Sequence, residues 1–246
     1  MERIQEVAQL IKNSKYAVVF TGAGISVESG IPTFRGSQGL WSKYDPEEYA
    51  YIEAFFRNPS KVWEMLREMY EIIFGAKPNS AHKVLSKLEK MGYLKAVITQ
   101  NIDGLHQAAG SENVIEFHGN CNWLICLNCG RRKRINKELI KKLPYPECST
   151  CKRPLKPEVV FFGEPIPIEA KVKAEKEAKN CEVMLIIGTS GVVYPAAELP
   201  YLAKSRGAKI VEINLEQSSF TYSITDYFLQ GKASEILEKL FDLLLI

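Results

Sequence analysis

The residues with the most distinctive chemical spacing are four cysteines arranged as two C-x2-C pairs. Cys126 and Cys129 form the first pair, and Cys148 and Cys151 form the second after eighteen intervening residues. Four thiolates at this spacing can close a tetrahedral zinc site, with each pair on its own tight turn. All four coordination positions would then be filled, so we predict one structural Zn2+ rather than a catalytic metal. Free thiols or a redox pair are the alternative.

The segment between the two cysteine pairs is basic and poor in apolar residues, so zinc would supply the free energy of its folding. Its most basic run extends from Arg131 to Arg134. Such a run is most often a solvated face, and a contact with nucleic acid or an acidic partner is the alternative. We favour the solvated face, so direct binding of nucleic acid is not expected.

A glycine-rich turn follows an apolar segment, residues 16–20, that is typical of a buried strand. Gly22 and Gly24 allow positive φ and close backbone approach, and a helix after them would direct free N–H groups toward an anion such as pyrophosphate. The spacing departs from G-x-G-x-x-G because Val27 takes the place of the third glycine. For the glycines alone, a tight turn without a ligand is an equally good interpretation.

The continuation of this turn favours a ligand site. Pro32 fixes the backbone, and Phe34 and Arg35 then present an aromatic ring beside a guanidinium. That combination suits an apolar lid next to a clamp for phosphate or carboxylate.

Further apolar segments that are typical of buried strands each end in small or polar residues. The segments are 94–99, 113–116, 183–187 and 209–213. The residues that follow them include Gln100, Asn101, Asp103, His118, Gly188, Thr189, Ser190, Asn214 and Glu216. Ligands collect at the carboxyl ends of parallel strands, so we expect these side chains to line one site.

The elements that must position these residues alternate between strand and helix. Helical patterns cover residues 2–13, 168–179, 195–206 and 233–244, and residues 45–90 are mostly helical. This alternation predicts an α/β fold with a doubly wound parallel sheet. A length of 246 residues allows one large core with a small satellite, and a net charge of +3 is too small to imply nucleic-acid binding.

The location predicted for the chain is cytoplasmic. Its first residues lack the order of a signal peptide, and no apolar run approaches the roughly 20 residues that span a bilayer. In a reducing compartment the cysteines are free to bind metal rather than to form disulfides.

The three histidines differ in their surroundings. His82 lies at a predicted helix start and His106 within one to two turns of Asn101, and both are expected to be structural. His118 ends a predicted strand, precedes Gly119 and lies between the glycine-turn side and the cysteine module. A buried structural histidine is the ordinary expectation for a lone His, and the position of His118 argues against it.

Several motifs, spread over nearly the whole chain, carry a family resemblance. They are GAGIS, ESGIPTFRG, TQNIDGLH, HG, the two cysteine pairs, VVFFGE, GTS, NLE and GKA, in that order. In type and order they resemble the sirtuins, NAD-dependent protein lysine deacylases. The resemblance implies a Rossmann-like NAD-binding domain over 1–42, 91–120 and 155–246, a helical insertion over 43–90 and a zinc-binding module over 121–154.

The resemblance also implies residue roles. Phe34 would shield the reactive face, and Gln100 would contact the nicotinamide ribose. The residues expected to bind NAD are Gly22, Ala23, Gly24, Thr33, Phe34, Arg35, Trp41, Gln100, Asn101, Ile102, Asp103, Gly188, Thr189, Ser190, Asn214, Leu215, Glu216, Lys232 and Ala233. The residues expected to contact the substrate are Val159, Phe161, Phe162, Gly163, Glu164, Val192, Val193 and Tyr194. A peptide carrying an acetylated lysine would pair as an extended strand between these two segments.

The implied reaction uses NAD as a co-substrate and releases nicotinamide, free lysine and O-acetyl-ADP-ribose. His118 and Asn101 are the expected catalytic residues, with His118 as the general base. Family members that prefer acidic acyl groups carry Tyr-x-x-Arg where this chain has Leu66 and Met69, although Arg67 lies nearby. We therefore expect neutral acyl groups, acetyl first and then longer chains.

Two other functions fit parts of the sequence. One is a protein ADP-ribosyltransferase with the same NAD chemistry, and the other is a non-catalytic zinc-ribbon module that binds nucleic acid. A protein substrate associated with nucleic acid is a further expectation, and no membrane partner is expected.

Overall fold

The computed structural model describes residues 2–35 and 39–246. The strands are β1 (Ala17–Thr21), β2 (Leu94–Thr99), β3 (Val114–Glu116), β4 (Gly119–Cys126), β5 (Arg132–Arg134), β6 (Leu155–Val159), β7 (Val183–Ile187), β8 (Lys209–Asn214) and β9 (Tyr227–Gln230). The α-helices are α1 (Glu2–Asn13), α2 (Pro46–Tyr49), α3 (Ile52–Arg57), α4 (Pro59–Gly75), α5 (Ser80–Lys90), α6 (Leu105–Ala108), α7 (Lys137–Ile140), α8 (Ile168–Asn180), α9 (Glu198–Ser205) and α10 (Ala233–Leu244). Short 3-10 helices cover Ala23–Ser29 and Leu40–Ser42.

The main sheet has six parallel strands in the order β3-β2-β1-β7-β8-β9. The chain builds outward from β1 to β3, returns to the other side of β1 at β7 and builds outward again. The strand order therefore reverses between β1 and β7, and the carboxyl ends of these two strands open a crevice there. The predicted doubly wound sheet is confirmed, with β9 as a sixth strand that the sequence patterns had not indicated.

Helices cover both faces of this sheet, as the continuous apolar sequences of its strands require. Residues of α1, α5 and α10 form one core with alternate strand residues such as Val19 and Leu185. Residues of α8 and α9 form the other core with the intervening residues, among them Phe20 and Ile186. The strands β1 and β7 are buried along their whole length, so the crevice has rigid walls.

A second, antiparallel sheet has the order β5-β4-β6 and carries the cysteine pairs. Its core is shared with α3 and α4, because Trp63 and Leu66 of α4 pack in one cluster with Leu124 and Leu155. The indole of Trp63 donates a hydrogen bond of 2.9 Å to the Leu155 carbonyl. The small sheet is thus stabilised by the helices beside it as well as by whatever its cysteines bind.

No helix within residues 2–35 and 39–246 is both long and apolar enough to cross a bilayer.

Candidate active site

A cleft of about 660 Å3 lies at the carboxyl ends of β1 and β7 and continues between the main sheet and the small sheet. This volume is within the range of about 300 to 1,000 Å3 that is usual for cofactor and substrate sites. Its lining brings together nearly every predicted site residue outside the cysteine cluster. The predicted residues that do not line it are Asp103 and Val192.

The glycine turn needs its glycines for close backbone approach, as the sequence predicts, and not for positive φ. Gly22 and Gly24 do not have positive φ, and a 3-10 helix rather than an α-helix follows them. A side chain at either position would collide with the turn after β7, since a Cβ on Gly24 would lie 2.7 Å from Gly188 Cα. Gly188 has a φ of 62°, and its carbonyl accepts from the Gly24 N–H at 2.8 Å. The close approach is therefore between two backbone turns that together form the floor of the cleft.

The residues after β2 form a buried chain of hydrogen bonds beside this floor. The Asn101 side-chain amide donates to Ser26 Oγ at 3.1 Å, and Ser26 Oγ donates to Asp103 Oδ2 at 2.7 Å. Asn101 is buried, and Asp103 lies on a smaller cavity of about 40 Å3 that adjoins the main cleft. These two hydrogen bonds fix the orientation of the Asn101 side chain toward the cleft.

Gln100 joins the two halves of the sheet. Its side-chain amide donates to Thr189 Oγ1 at 3.0 Å, which ties the residue after β2 to the turn after β7. Its backbone carbonyl lies 3.2 Å from His118 Nδ1.

His118 lies on the cleft, half-buried, between β3 and β4. The contact with the Gln100 carbonyl assigns the proton of a neutral imidazole to Nδ1, so Nε2 is left as an acceptor. Burial lowers the pKa of His118 from its ordinary value, and the Gln100 carbonyl opposes that shift. The ring is therefore neutral near pH 7 and able to accept a proton at Nε2.

His82 and His106 lie together in the protein interior rather than on the cleft. Their ring centroids are 4.9 Å apart, and His106 Nε2 is 3.0 Å from Thr21 Oγ1. Burial lowers the pKa of His82 to about 4 and that of His106 to about 3. Both are neutral packing residues below the ends of β1 and β2.

The aromatic segment after the glycine turn forms one rim of the cleft. Phe34 and Trp41 pack with their ring centroids 5.4 Å apart, and the Trp41 N–H donates to the Phe34 carbonyl at 2.9 Å. Thr33 and Arg35 also line the cleft. Gly36, the last residue of the ESGIPTFRG motif, lies outside the described residues.

One end of the cleft is formed by residues that follow β8 and by residues at the start of α10. Asn214 is held by a bond of 2.9 Å from its side-chain amide to the Thr189 carbonyl, and Glu216 lines the cleft nearby. Lys232 and Ala233, at the start of α10, complete this end.

The two predicted peptide segments lie on the cleft but are not extended throughout. In the first, only Val159 belongs to a strand, and residues 161–164 form a turn. The second, 191–194, is irregular, and Val192 is exposed away from the cleft. Gly163 and Gly191 both have positive φ and end extended backbone, and the pairing of a peptide as a strand between the two segments stays a prediction.

Apolar side chains of α4 form the wall opposite these segments. Leu66 and Met69 line the cleft, as does Met65. Arg67 turns away from it, because its guanidinium donates to the carbonyl oxygens of Ile140, Lys142 and Pro144. No cationic side chain of α4 is therefore among the described residues that line this wall.

The four cysteines fit a zinc ion. Their sulfur atoms all lie within 4.8 Å of one another, and three of the separations are 3.4, 3.6 and 3.8 Å. Zn–S bonds of about 2.3 Å in a tetrahedron place the sulfurs about 3.8 Å apart. The cluster is Cys126, Cys129, Cys148 and Cys151, as the spacing predicts.

Sequence reasoning missed several cleft residues. Glu28 accepts a hydrogen bond of 2.6 Å from the hydroxyl of Ser234 and so connects the first 3-10 helix to α10. Val27 and Ile166 add apolar lining. From sequence, Val27 was noted only as a missing glycine.

The chain matches the family model described as "Sir2 family" over residues 22–195. It is 52% identical to an NAD-dependent protein deacylase of Pyrococcus furiosus over 96% of this chain and 95% of that protein. It is 49% identical to an NAD-dependent protein deacylase of Thermococcus kodakarensis over 95% of this chain and 92% of that protein. A solved structure of a Sir2 protein with a deacetylated p53 peptide and 3'-O-acetyl ADP-ribose superimposes with a TM-score of 0.93 at 38% identity, covering 97% of each chain. This chain belongs to the Sir2 family.

Proposed function

We propose that this protein removes acetyl groups from lysine side chains of other proteins with NAD as co-substrate. The products are nicotinamide, free lysine and O-acetyl-ADP-ribose. The observation that carries the proposal is that His118, Asn101 and the paired glycine turns line one cleft at the reversal of the strand order. The relatives that share nearly the whole length of the chain are NAD-dependent deacylases.

The cleft suits NAD in size and in the order of its lining. The turns at Gly22 and Gly188 would lie beside the phosphates, and the positive ends of the helices that begin at Ala23 and Ala233 favour anions. Asn214 and Glu216 would bind the adenosine end, and Gln100 the ribose nearest His118. When bound, NAD supplies a glycosidic carbon that an acyl oxygen can attack as nicotinamide leaves.

Asn101 and Asp103 would form the pocket that receives nicotinamide. Asn101 is held by Ser26, so its amide is already oriented before a ligand enters. Preorganised donors lose little freedom on binding, which favours the reacting geometry.

His118 would act as the general base. With its Nδ1 proton held by the Gln100 carbonyl, Nε2 is free to take a proton from a ribose hydroxyl. A lowered pKa keeps the imidazole neutral over the physiological range. Phe34 would exclude water from the reacting face.

The acyl group would lie against α4. Leu66 and Met69 offer apolar contacts, and the Arg67 guanidinium is engaged elsewhere, so a carboxylate on the acyl chain would find no cationic partner on α4. Acetyl and longer neutral chains are therefore the proposed substrates.

Two further proposals concern the protein substrates of the enzyme and its location in the cell. Substrate proteins associated with nucleic acid are supported by the exposed basic side chains of β5, which would tolerate nearby phosphates. A cytoplasmic location is supported by cysteines that the zinc cluster requires in reduced form.

Mass spectrometry of the small-molecule products tests the reaction class. The protein, NAD and an acetyl-lysine peptide should give O-acetyl-ADP-ribose and deacetylated peptide in equal amounts. The unacetylated peptide should release no nicotinamide. ADP-ribose attached to protein without any need for an acetyl group would instead indicate ADP-ribosyl transfer.

A further inference from the structure

The segment Val159–Glu164 forms one wall of the cleft, and backbone pairing holds only part of it: Phe162 bridges Tyr51, and the Val160 N–H donates to the His118 carbonyl at 2.9 Å. Beyond β6 the chain makes a turn that is closed by the Glu164 N–H and the Phe161 carbonyl at 3.0 Å. Gly163, with a φ of 86°, occupies the turn position that requires the left-handed conformation. Side-chain contacts add to this backbone pairing at the turn.

A buried ammonium group lies behind the segment. The side chain of Lys156 is 3% exposed, and its Nζ donates to the carbonyls of Pro157 at 3.0 Å and Val159 at 2.6 Å. The third acceptor is Glu164 Oε2 at 2.8 Å. An ammonium has three N–H donors, so this set is complete. The same Nζ lies 4.3 Å from the centroid of the Phe161 ring.

The carboxylate of Glu164 extends these contacts back into the turn. Its Oε2 also accepts the Phe161 N–H at 2.8 Å, so Glu164 is bonded to Phe161 through both backbone groups of that residue. One ammonium and one carboxylate thus connect the end of β6 to both ends of the turn.

Stability alone explains this arrangement poorly. Burying an ion pair removes both groups from water, and well-packed apolar residues of similar size generally stabilise a fold at least as well. Burial also lowers the pKa of Lys156, which reflects the cost of charge at this position. A paired charge does impose one geometry on several backbone groups at once, and that geometry belongs to a wall of the cleft.

We infer that Lys156 and Glu164 are positioning residues that hold the Val159–Glu164 wall in the conformation that receives the acyl-lysine peptide. The role rests on the proposed deacetylase activity. Glu164 thereby has a task different from direct contact with substrate. Lys156 is not among the described residues that line the cleft, Glu164 is, and both act through the backbone of the segment between them.

The test compares peptide and NAD parameters in three variants. Glu164→Gln keeps the shape of the side chain but removes its charge, and Lys156→Met/Glu164→Gln removes the buried charges together. Lys176→Met, at an exposed position on α8, is the matched control. Steady-state kinetics with an acetyl-lysine peptide give KM and kcat, and calorimetry without peptide gives the affinity for NAD.

In Glu164→Gln and in the double variant, the KM for peptide should rise by about tenfold or more. The affinity of both for NAD should stay within about twofold of the parent. The control should match the parent in all three quantities. A peptide KM within about twofold of the parent in the double variant would overturn the positioning role, as would an equal loss of NAD affinity. Loss of the native circular dichroism spectrum by the double variant would assign the pair to global stability and would also overturn it. An inactive parent protein would instead count against the proposed function.

Discussion

The six-stranded sheet and the three-stranded sheet place their functional residues by different means. In the larger sheet, β1 and β7 are buried from end to end, and backbone turns packed against each other fix the floor of the cleft. In the smaller sheet, β5 is exposed at every residue, and Cys129, Cys148 and Cys151 lie in turns or irregular backbone. The first region is positioned by burial and the second by metal coordination together with the packing of α4.

Removal of zinc should have the largest effect of the changes considered, and it should affect the small sheet but not the large one. Structural zinc contributes on the order of 10 kcal/mol or more to folding, so a chelator or Cys148→Ser should unfold the segment between β4 and β6. The parallel sheet should persist, because its cores contain none of the four ligands. Amide hydrogen exchange should show rapid exchange over residues 127–154 and slow exchange in β1 and β7.

Cys181 provides the control for this experiment. It is buried in the main core outside the zinc cluster, so Cys181→Ala should keep full zinc content. If the chelated protein lost protection equally in both sheets, the two regions would form one cooperative unit and the contrast would fail.

His118 lies between β3 of the large sheet and β4 of the small sheet. Its substitution therefore tests whether catalysis in the cleft depends on a residue at the junction of the two sheets. His118→Ala should lower kcat for deacetylation by about a hundredfold to ten-thousandfold, because the general base is lost. NAD affinity and the unfolding transition should change little, since the ring is only half-buried. A variant with activity within tenfold of the parent would sink the proposed base.

The dependence of kcat/KM on pH in the parent protein is a second test of His118 as the general base. Since the pKa of His118 is lowered, kcat/KM should be flat near pH 7 and fall only in more acidic solution. If kcat/KM began to fall before the pH had been lowered to about 7, the base would be a different group.

The packed turns offer a smaller test that concerns the large sheet alone. Gly24→Ala should destabilise the protein by about 1–3 kcal/mol, because the new Cβ would lie 2.7 Å from Gly188 Cα and force the turns apart. NAD affinity should fall with it. Urea unfolding and calorimetry measure the two effects.

Gly75→Ala is the matched control, because nothing lies within 4 Å of a Cβ at that position. We expect it to be neutral or mildly stabilising. Equal destabilisation by both substitutions would remove the claim that the two turns require glycine for close approach.

The sequence was most informative where a residue type has few alternatives. The cysteine spacing predicted the cluster correctly, and the strand ends predicted which residues share one cleft. The strand β9 was not predicted, because four residues flanked by polar loops show no clear periodicity. The assignment of residues to domains stays a prediction.

Other features depend on contacts distant in sequence, which local patterns do not encode. The need for glycine at Gly24 comes from Gly188, and the orientation of Arg67 comes from carbonyls near Pro144. The buried state of Lys156 also could not be inferred, since a lysine is ordinarily exposed.

Acidification should destabilise the large sheet through two buried histidines. The folded pKa values of His82 and His106, about 4 and about 3, lie below the unfolded value of about 6.5, so the unfolded chain binds more protons in acid. Stability is therefore fully present above about pH 6.5 and is lost as pH falls toward 4. For His106 alone the loss between pH 6.5 and pH 5 is roughly 2 kcal/mol. His106→Gln should flatten the dependence of unfolding free energy on pH, as measured by urea titrations at several pH values with zinc bound throughout. An unchanged slope in this variant would show that the buried imidazoles below β1 and β2 do not set the acid sensitivity of the sheet.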